Sequence, residues 1–240
     1  MRLSARAAWA VLTVGIVMGC TVVDSEQVDP ETVHMSWWGE YDEARSTMQW
    51  RATFTVGGAG GTYLRLTGRS AARVNGYELD ESDGILNIVD YVRTEYGQRD
   101  SAAARQFLLE YVDTETRTYS NAVTLPARAM IDPAQPVRVS LSAPSLDVRW
   151  RSTETLGPDD RIEVNLSVTG TTLSSYDGYA SGTAGRVSFS REQLRQLQPD
   201  RSGKLRVCVT RSPALADVPP RGGDVRMSYC SAPKAVDIVQ

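Results

Sequence analysis

The chain has 240 residues, 41% hydrophobic and 23% charged, with a formal net charge of −3. That length suits one large domain or two small ones, either able to bury a real core. Basic and acidic residues (26 and 29) are evenly mixed, with no basic run to mark a nucleic-acid partner, and a single histidine beside three cysteines supplies no ligand cluster for zinc.

Arg2 and Arg6 precede an uncharged apolar run from Ala7 to Met18. This is the anatomy of a secretory signal, and it is too short for the roughly 20 apolar residues that cross a bilayer. It ends in Val17-Met18-Gly19-Cys20: an aliphatic residue, a tolerant position, a small residue, then cysteine. The tetrapeptide resembles the lipobox of bacterial lipoproteins. That resemblance implies lipidation of the Cys20 thiol, cleavage just before it and acylation of the new amino end, as with palmitate. More than one chain on a single cysteine anchors stably where one chain does not. Thr21, in place of an Asp, points by the same resemblance to the outer membrane, on its periplasmic face or the cell surface. Removal of residues 1–19 from 240 leaves 221 and, with Arg2 and Arg6 gone, moves the net charge from −3 to about −5.

Residues 20–46 read as the lipidated cysteine followed by an acidic tether. Asp24, Glu26, Asp29, Glu31, Glu40, Asp42 and Glu43 face the single base Arg45, without a sustained period. Within it lies Met35-Ser36-Trp37-Trp38-Gly39-Glu40-Tyr41. Its rings either pack onto the following domain or form an exposed stacking platform for a sugar or protein partner through Trp37, Trp38 and Tyr41.

From Thr47 the period is two. Met48, Trp50, Ala52, Phe54 and Val56 alternate with polar residues, as in a half-buried strand. Gly57 to Gly61 breaks the run. No Lys-Ser/Thr pair follows, so this is a hairpin turn and not a phosphate loop. Asn75-Gly76 marks a tight turn between strands. Ile88 to Tyr96, Arg105 to Val112 and Thr118 to Leu125 complete about seven strands, the number expected of a sandwich over residues 47–126. Ile85 to Val89 reads equally as a short helix.

Residues 127–136, with Pro133 and Pro136, read as a linker, and residues 137–240 as a second sandwich. Ile162, Val164, Leu166 and Val168 alternate cleanly with polar residues. Leu173 to Gly185 reads as a long loop or weak edge strand. Ser190 and Gln193 form a capping box opening a short helix to Leu197. Cys208 and Cys230 fall on the polar sides of two strands, where antiparallel pairing sets them opposite each other for a disulfide. An oxidising compartment lets such a pair close.

The expected fold is therefore all-β: two tandem antiparallel β-sandwich domains after a signal peptide and tether. By strand count and turn spacing both resemble immunoglobulin-like or fibronectin-like modules. Chemistry is sparse. His34 sits in the tether, where a triad base cannot be held firmly, and neither a Gly-x-Ser-x-Gly elbow nor a His-Glu-x-x-His pair is present. Asp80, Ser82 and Asp83, with Glu81 and Gly84, offer hard oxygens to calcium without EF-hand spacing. No catalytic residue, resident metal or cofactor is expected. The expected role is a non-catalytic, membrane-anchored protein presenting a binding or structural surface to a protein or glycan. The alternatives are a glycan-binding module and a hydrolase with a dispersed carboxylate site.

Overall fold

The computed structural model describes residues 22–83, 88–97, 103–168, 171–179, 182–197 and 201–240. Cys20 with the lipobox, and most of the Ile85–Val89 segment, lie outside the described residues.

In chain order the strands are β1 (Val22–Asp24), β2 (Val33–Asp42), β3 (Thr47–Val56), β4 (Thr62–Arg65), β5 (Ala71–Val74), β6 (Tyr77–Glu78), β7 (Asp80–Asp83), β8 (Val89–Tyr96), β9 (Gln106–Val112) and β10 (Thr118–Thr124). There follow β11 (Ala129–Ile131), β12 (Arg138–Ser140), β13 (Ser145–Leu156), β14 (Arg161–Val168), β15 (Thr171–Tyr179) and β16 (Gly182–Ser190). A single helical turn α1 (Arg191–Leu194) then leads to β17 (Arg201–Arg211), β18 (Gly223–Cys230) and β19 (Lys234–Val239). The protein is all-β. Ser190 caps α1 through the expected box, accepting from the Gln193 amide while Gln193 Oε1 accepts from the Ser190 amide. Asn75 and Gly76 both take positive φ, 51° and 78°, as a tight hairpin between β5 and β6 requires.

One sheet of 12 strands forms the back of the molecule. Its path runs β1-β4-β3-β2-β18-β17-β14-β15, with β7, β8, β12 and β19 attached beside it. Two smaller sheets, β10-β9-β5-β6 and β11-β13-β16, pack on one side of it. The first core lies between the large sheet and the β9–β10 sheet, around Trp50, Phe54, Phe107, Tyr111 and Tyr119. Aromatic rings interlock there: Trp50 meets Phe107 edge-on at 4.8 Å between centroids, and Tyr111 stacks on Tyr119 at 5.8 Å. The second core collects Val148, Trp150, Ile162, Val164, Leu166, Phe189, Leu205 and Val207, with Leu194 of α1 beneath them.

Several segments differ from the sequence reading. The expected tether contains β2, which pairs antiparallel with β3 over ten residues and parallel with β18 over eight. Its alternate residues Val33, Met35, Trp37 and Tyr41 enter the first core, so burial on one face outweighs the acidic composition of the other. Gly39 completes that inward series because Trp50, Met48 and Met227 leave no room for a Cβ. The expected linker is also built into the fold. Ala127, Ala129 and Ile131 are buried, and β11 pairs with β13. Gln135 clamps the β13 backbone by donating to Asp147 O at 3.0 Å and accepting from the Arg149 amide at 3.0 Å. The pairing is not purely antiparallel, since β1–β4, β12–β19 and β2–β18 run parallel. Of the two readings of Leu173–Gly185, the strand holds: the stretch supplies most of the edge strand β15 and the start of β16.

Through β18 the two halves share a sheet. Val225, Met227 and Tyr229 belong to the first core, although they lie about 100 residues beyond the rest of its buried members.

Candidate functional site

Both small sheets cover the same side of the large one, and among the described residues no sheet covers its other side. That open side carries the polar half of each alternating strand. Crossing from β14 to β2, one row reads Glu163, Cys208, Cys230, Asp42, and the next reads Arg161, Thr210, Ser228, Glu40. Residues far apart in the chain meet here only because β18 bridges β2 and β17.

Cys208 and Cys230 are register partners and form the expected disulfide, with Cα atoms 4.1 Å apart. Both are buried even though they lie on the polar side. Arg206 is held beside them. Its Nε donates to Ser231 O at 3.1 Å, and its Nη2 lies 3.2 Å from Asp42 Oδ2. The Thr210 and Ser228 hydroxyls meet at 3.0 Å. Burial pushes the Glu40 carboxyl above its ordinary range, opposed by Arg206 and Arg226 and reinforced by Asp42 and Glu163.

Among the described residues, two of the clefts lie on this face. The larger, about 380 Å³, lies where the β2–β3 turn overhangs β17, β14 and β15, and brings together Arg45, Lys204, Arg206, Asn165, Ser167 and Thr172 beside Asp42. The smaller, about 260 Å³, is lined by Asp159, Arg161, Thr210, Ser212 and Arg226. The larger draws on segments more than a hundred positions apart, the smaller on three separate segments, and no local motif announces either.

The residues singled out from the sequence fare differently. Trp37 and Tyr41 are each 2% exposed and packed in the first core, against Phe54 and Tyr229 respectively. They cannot serve as a stacking platform; only Trp38, half-buried, faces the open side. His34 is not in a tether but is held in β2, with Nε2 3.7 Å from Asp224 Oδ2. Ser36 Oγ donates to that same carboxylate oxygen at 2.7 Å. The acid thus stands between hydroxyl and imidazole, whereas a catalytic triad needs the imidazole in the middle. Asp80–Asp83 is strand β7 and not a loop. Its pleat turns Glu81 away from Asp80 and Ser82, and Glu81 accepts from Arg65 Nε at 2.9 Å. Among the described residues no group of three or more His, Cys, Asp or Glu is placed to hold a metal ion, and no helix is long and apolar enough to cross a membrane.

No protein-family model and no curated protein matches the chain. Among solved structures, one similar chain comes from work on host cell surface retention of a 1.5-MDa bacterial ice-binding adhesin. It shows 13% identity and a TM-score of 0.26, with 87% of this chain and 65% of that one covered, so this chain spans less than two thirds of its length. Another is DIP-gamma IG1+IG2, at 11% identity and a TM-score of 0.23, covering 85% of this chain and 95% of that one. At these values neither likeness assigns a function.

Proposed function

We propose that the chain is a lipid-anchored, non-catalytic protein of the bacterial envelope whose two immunoglobulin-like modules share one sheet and present its open polar face to a partner. The observation that carries this reading is the division of the three cysteines. Cys208 and Cys230 close on each other, which suits an oxidising compartment outside the cytoplasm. Cys20, at the end of the lipobox, remains for the lipid. Anchoring there places the face at the surface of the outer membrane, where a rigid sheet is a scaffold for recognition. The step from fold to role is by analogy with other sandwich proteins.

Metabolic labelling with a fatty-acid probe in a bacterial host tests the anchor. The wild-type chain takes up the probe and fractionates with membranes, and Cys20→Ala loses both properties. Equal labelling of the two chains would overturn the proposal.

A further inference from the structure

We infer that the larger cleft on the open face is a binding site for a small acidic sugar of the hexuronate class. This inference rests on the reading of that face as the presenting surface.

The cleft is cationic on an acidic protein. Arg45, Lys204 and Arg206 face the single carboxylate Asp42, while the whole chain carries −3. That carboxylate is already engaged, by Arg206 at 3.2 Å and Arg45 at 3.9 Å. Among the described residues the Lys204 side chain makes no ion pair or hydrogen bond, although it is exposed and points into the same space. An unneutralised ammonium beside a pre-positioned guanidinium is an attractor for an oxyanion. Arg206 loses little freedom on binding, because Ser231 O and Asp42 already fix it.

The other half of the lining is neutral. Lys204, Ser167 and Thr172 form one cross-strand row, and Arg206 and Asn165 form the next. Cations therefore stand on β17 and the β2–β3 turn, with Ser167 and Asn165 one strand away and Thr172 two, at roughly 4.8 Å per strand. Thr172 Oγ1 donates to Ser167 Oγ at 3.2 Å, so both hydroxyls retain capacity for a ligand. A hexuronate matches this division, with a carboxylate on one side of its ring and hydroxyls on the other. The volume, about 380 Å³, falls within the range of small-molecule sites. The lining has no aromatic ring and only Ala44 and Pro233 as apolar members, which disfavours a hydrophobic ligand.

Isothermal titration of the purified protein with D-glucuronate, D-glucose and inorganic phosphate tests the inference. Glucuronate binds, while glucose and phosphate each bind at least about tenfold more weakly, the scale of one lost charged hydrogen bond. Lys204→Glu weakens glucuronate by about tenfold or more, and Arg191→Glu on α1 leaves it unchanged. Arg45→Glu, at a side chain that is 73% exposed, provides a second variant that spares the core. Unchanged melting of both cleft variants confirms that they fold. Absence of glucuronate binding, phosphate binding as tightly as glucuronate, or equal affinity in Lys204→Glu would overturn the site. So would Lys204-dependent binding to phosphatidylglycerol vesicles without binding of glucuronate. None of these outcomes alters fatty-acid labelling at Cys20, so failure of the cleft and failure of the anchor are distinguishable.

Discussion

Cys208 and Cys230 stand directly opposite each other in adjacent antiparallel strands, yet the strands on either side of the bond serve different cores. The inward residues of β17, Leu205, Val207 and Val209, fill the second core, and those of β18, Val225, Met227 and Tyr229, fill the first. The bond is a weld at the seam.

Replacing both cysteines therefore weakens the whole molecule. The residues lie 22 apart in sequence, and opening a loop of that size costs about 3 kcal/mol in the chain-entropy model. Cys208→Ser/Cys230→Ser should shift the denaturant midpoint accordingly. An unchanged midpoint would show the bond to be mechanically idle.

Asp160 is completely buried and grips Arg211 with both oxygens, at 2.6 and 2.7 Å, while Oδ2 also accepts from the Gly157 amide. These bonds hold the Arg211 guanidinium above its ordinary range. They also tie the β13–β14 turn to the end of β17. Asp160→Ala strands a partly buried guanidinium and a turn amide, a loss of about 3 kcal/mol or more. Chemical denaturation measures it, and a variant as stable as the wild type contradicts the assignment.

Gly39 offers a probe of overpacking. A Cβ there would come within 2.6 Å of the Trp50 ring and 2.8 Å of the Met48 methyl. Gly39→Ala should destabilise by about 1–3 kcal/mol. The methionines can yield, whereas the Trp50 ring is wedged against Phe107. A neutral or stabilising effect in thermal melting would mean that the core has slack at this point.

The Glu40 carboxyl, raised chiefly by burial, binds its proton more tightly in the folded than in the unfolded chain. Its contribution to stability therefore declines as pH rises from the unfolded value of 4.5 through the higher folded one. Glu40→Gln removes that decline. The variant should gain stability over wild type at pH 7 and show less difference at pH 4. Parallel pH profiles for the two proteins count against it.

Buried phenols set the alkaline limit. Tyr91 is pushed up to about 12 by desolvation, and Tyr111 and Tyr229 are raised for the same reason. A raised folded value means that stability is intact below pH 10 and is lost as pH climbs from 10 towards 12. The share of the tyrosinate absorbance due to Tyr91, Tyr111 and Tyr229 should therefore appear together with unfolding. Complete ionisation of all the tyrosines in a still-folded protein near pH 10 would exclude this.

Local patterns carried much of the fold. The alternation in β3 and β14, the Asn75-Gly76 turn, the Ser190 capping box and the sidedness of the two cysteines all speak through neighbours in sequence. β2 has the same alternation, but Gly39 interrupts its apolar series and Trp38 puts a ring on the polar side, so the acidic composition masks the period. β11 is three residues long, too short for a period to register. The parallel union of β2 with β18 pairs Ser36 with Asp224, and no local signal reports a partner at that distance. The cleft is hidden for the same reason, since Arg45 comes beside Ser167 and Lys204 only through that union.

The late arrival of β18 also imposes a schedule. A ribosome completes β3 to β10 long before Val225, Met227 and Tyr229 exist. Domains commonly fold as units, N-terminal part first, as they are made. Here the first-made half must wait with one flank of β2 unpaired until nearly the whole chain has emerged. A long-range closure of this kind is intrinsically slow, and the waiting edge is open to strand-on-strand pairing with other chains. Such a chain gains from an escort that shields β2 until β18 arrives, and a chain truncated before Gly223 is expected to aggregate and not to fold as a smaller protein.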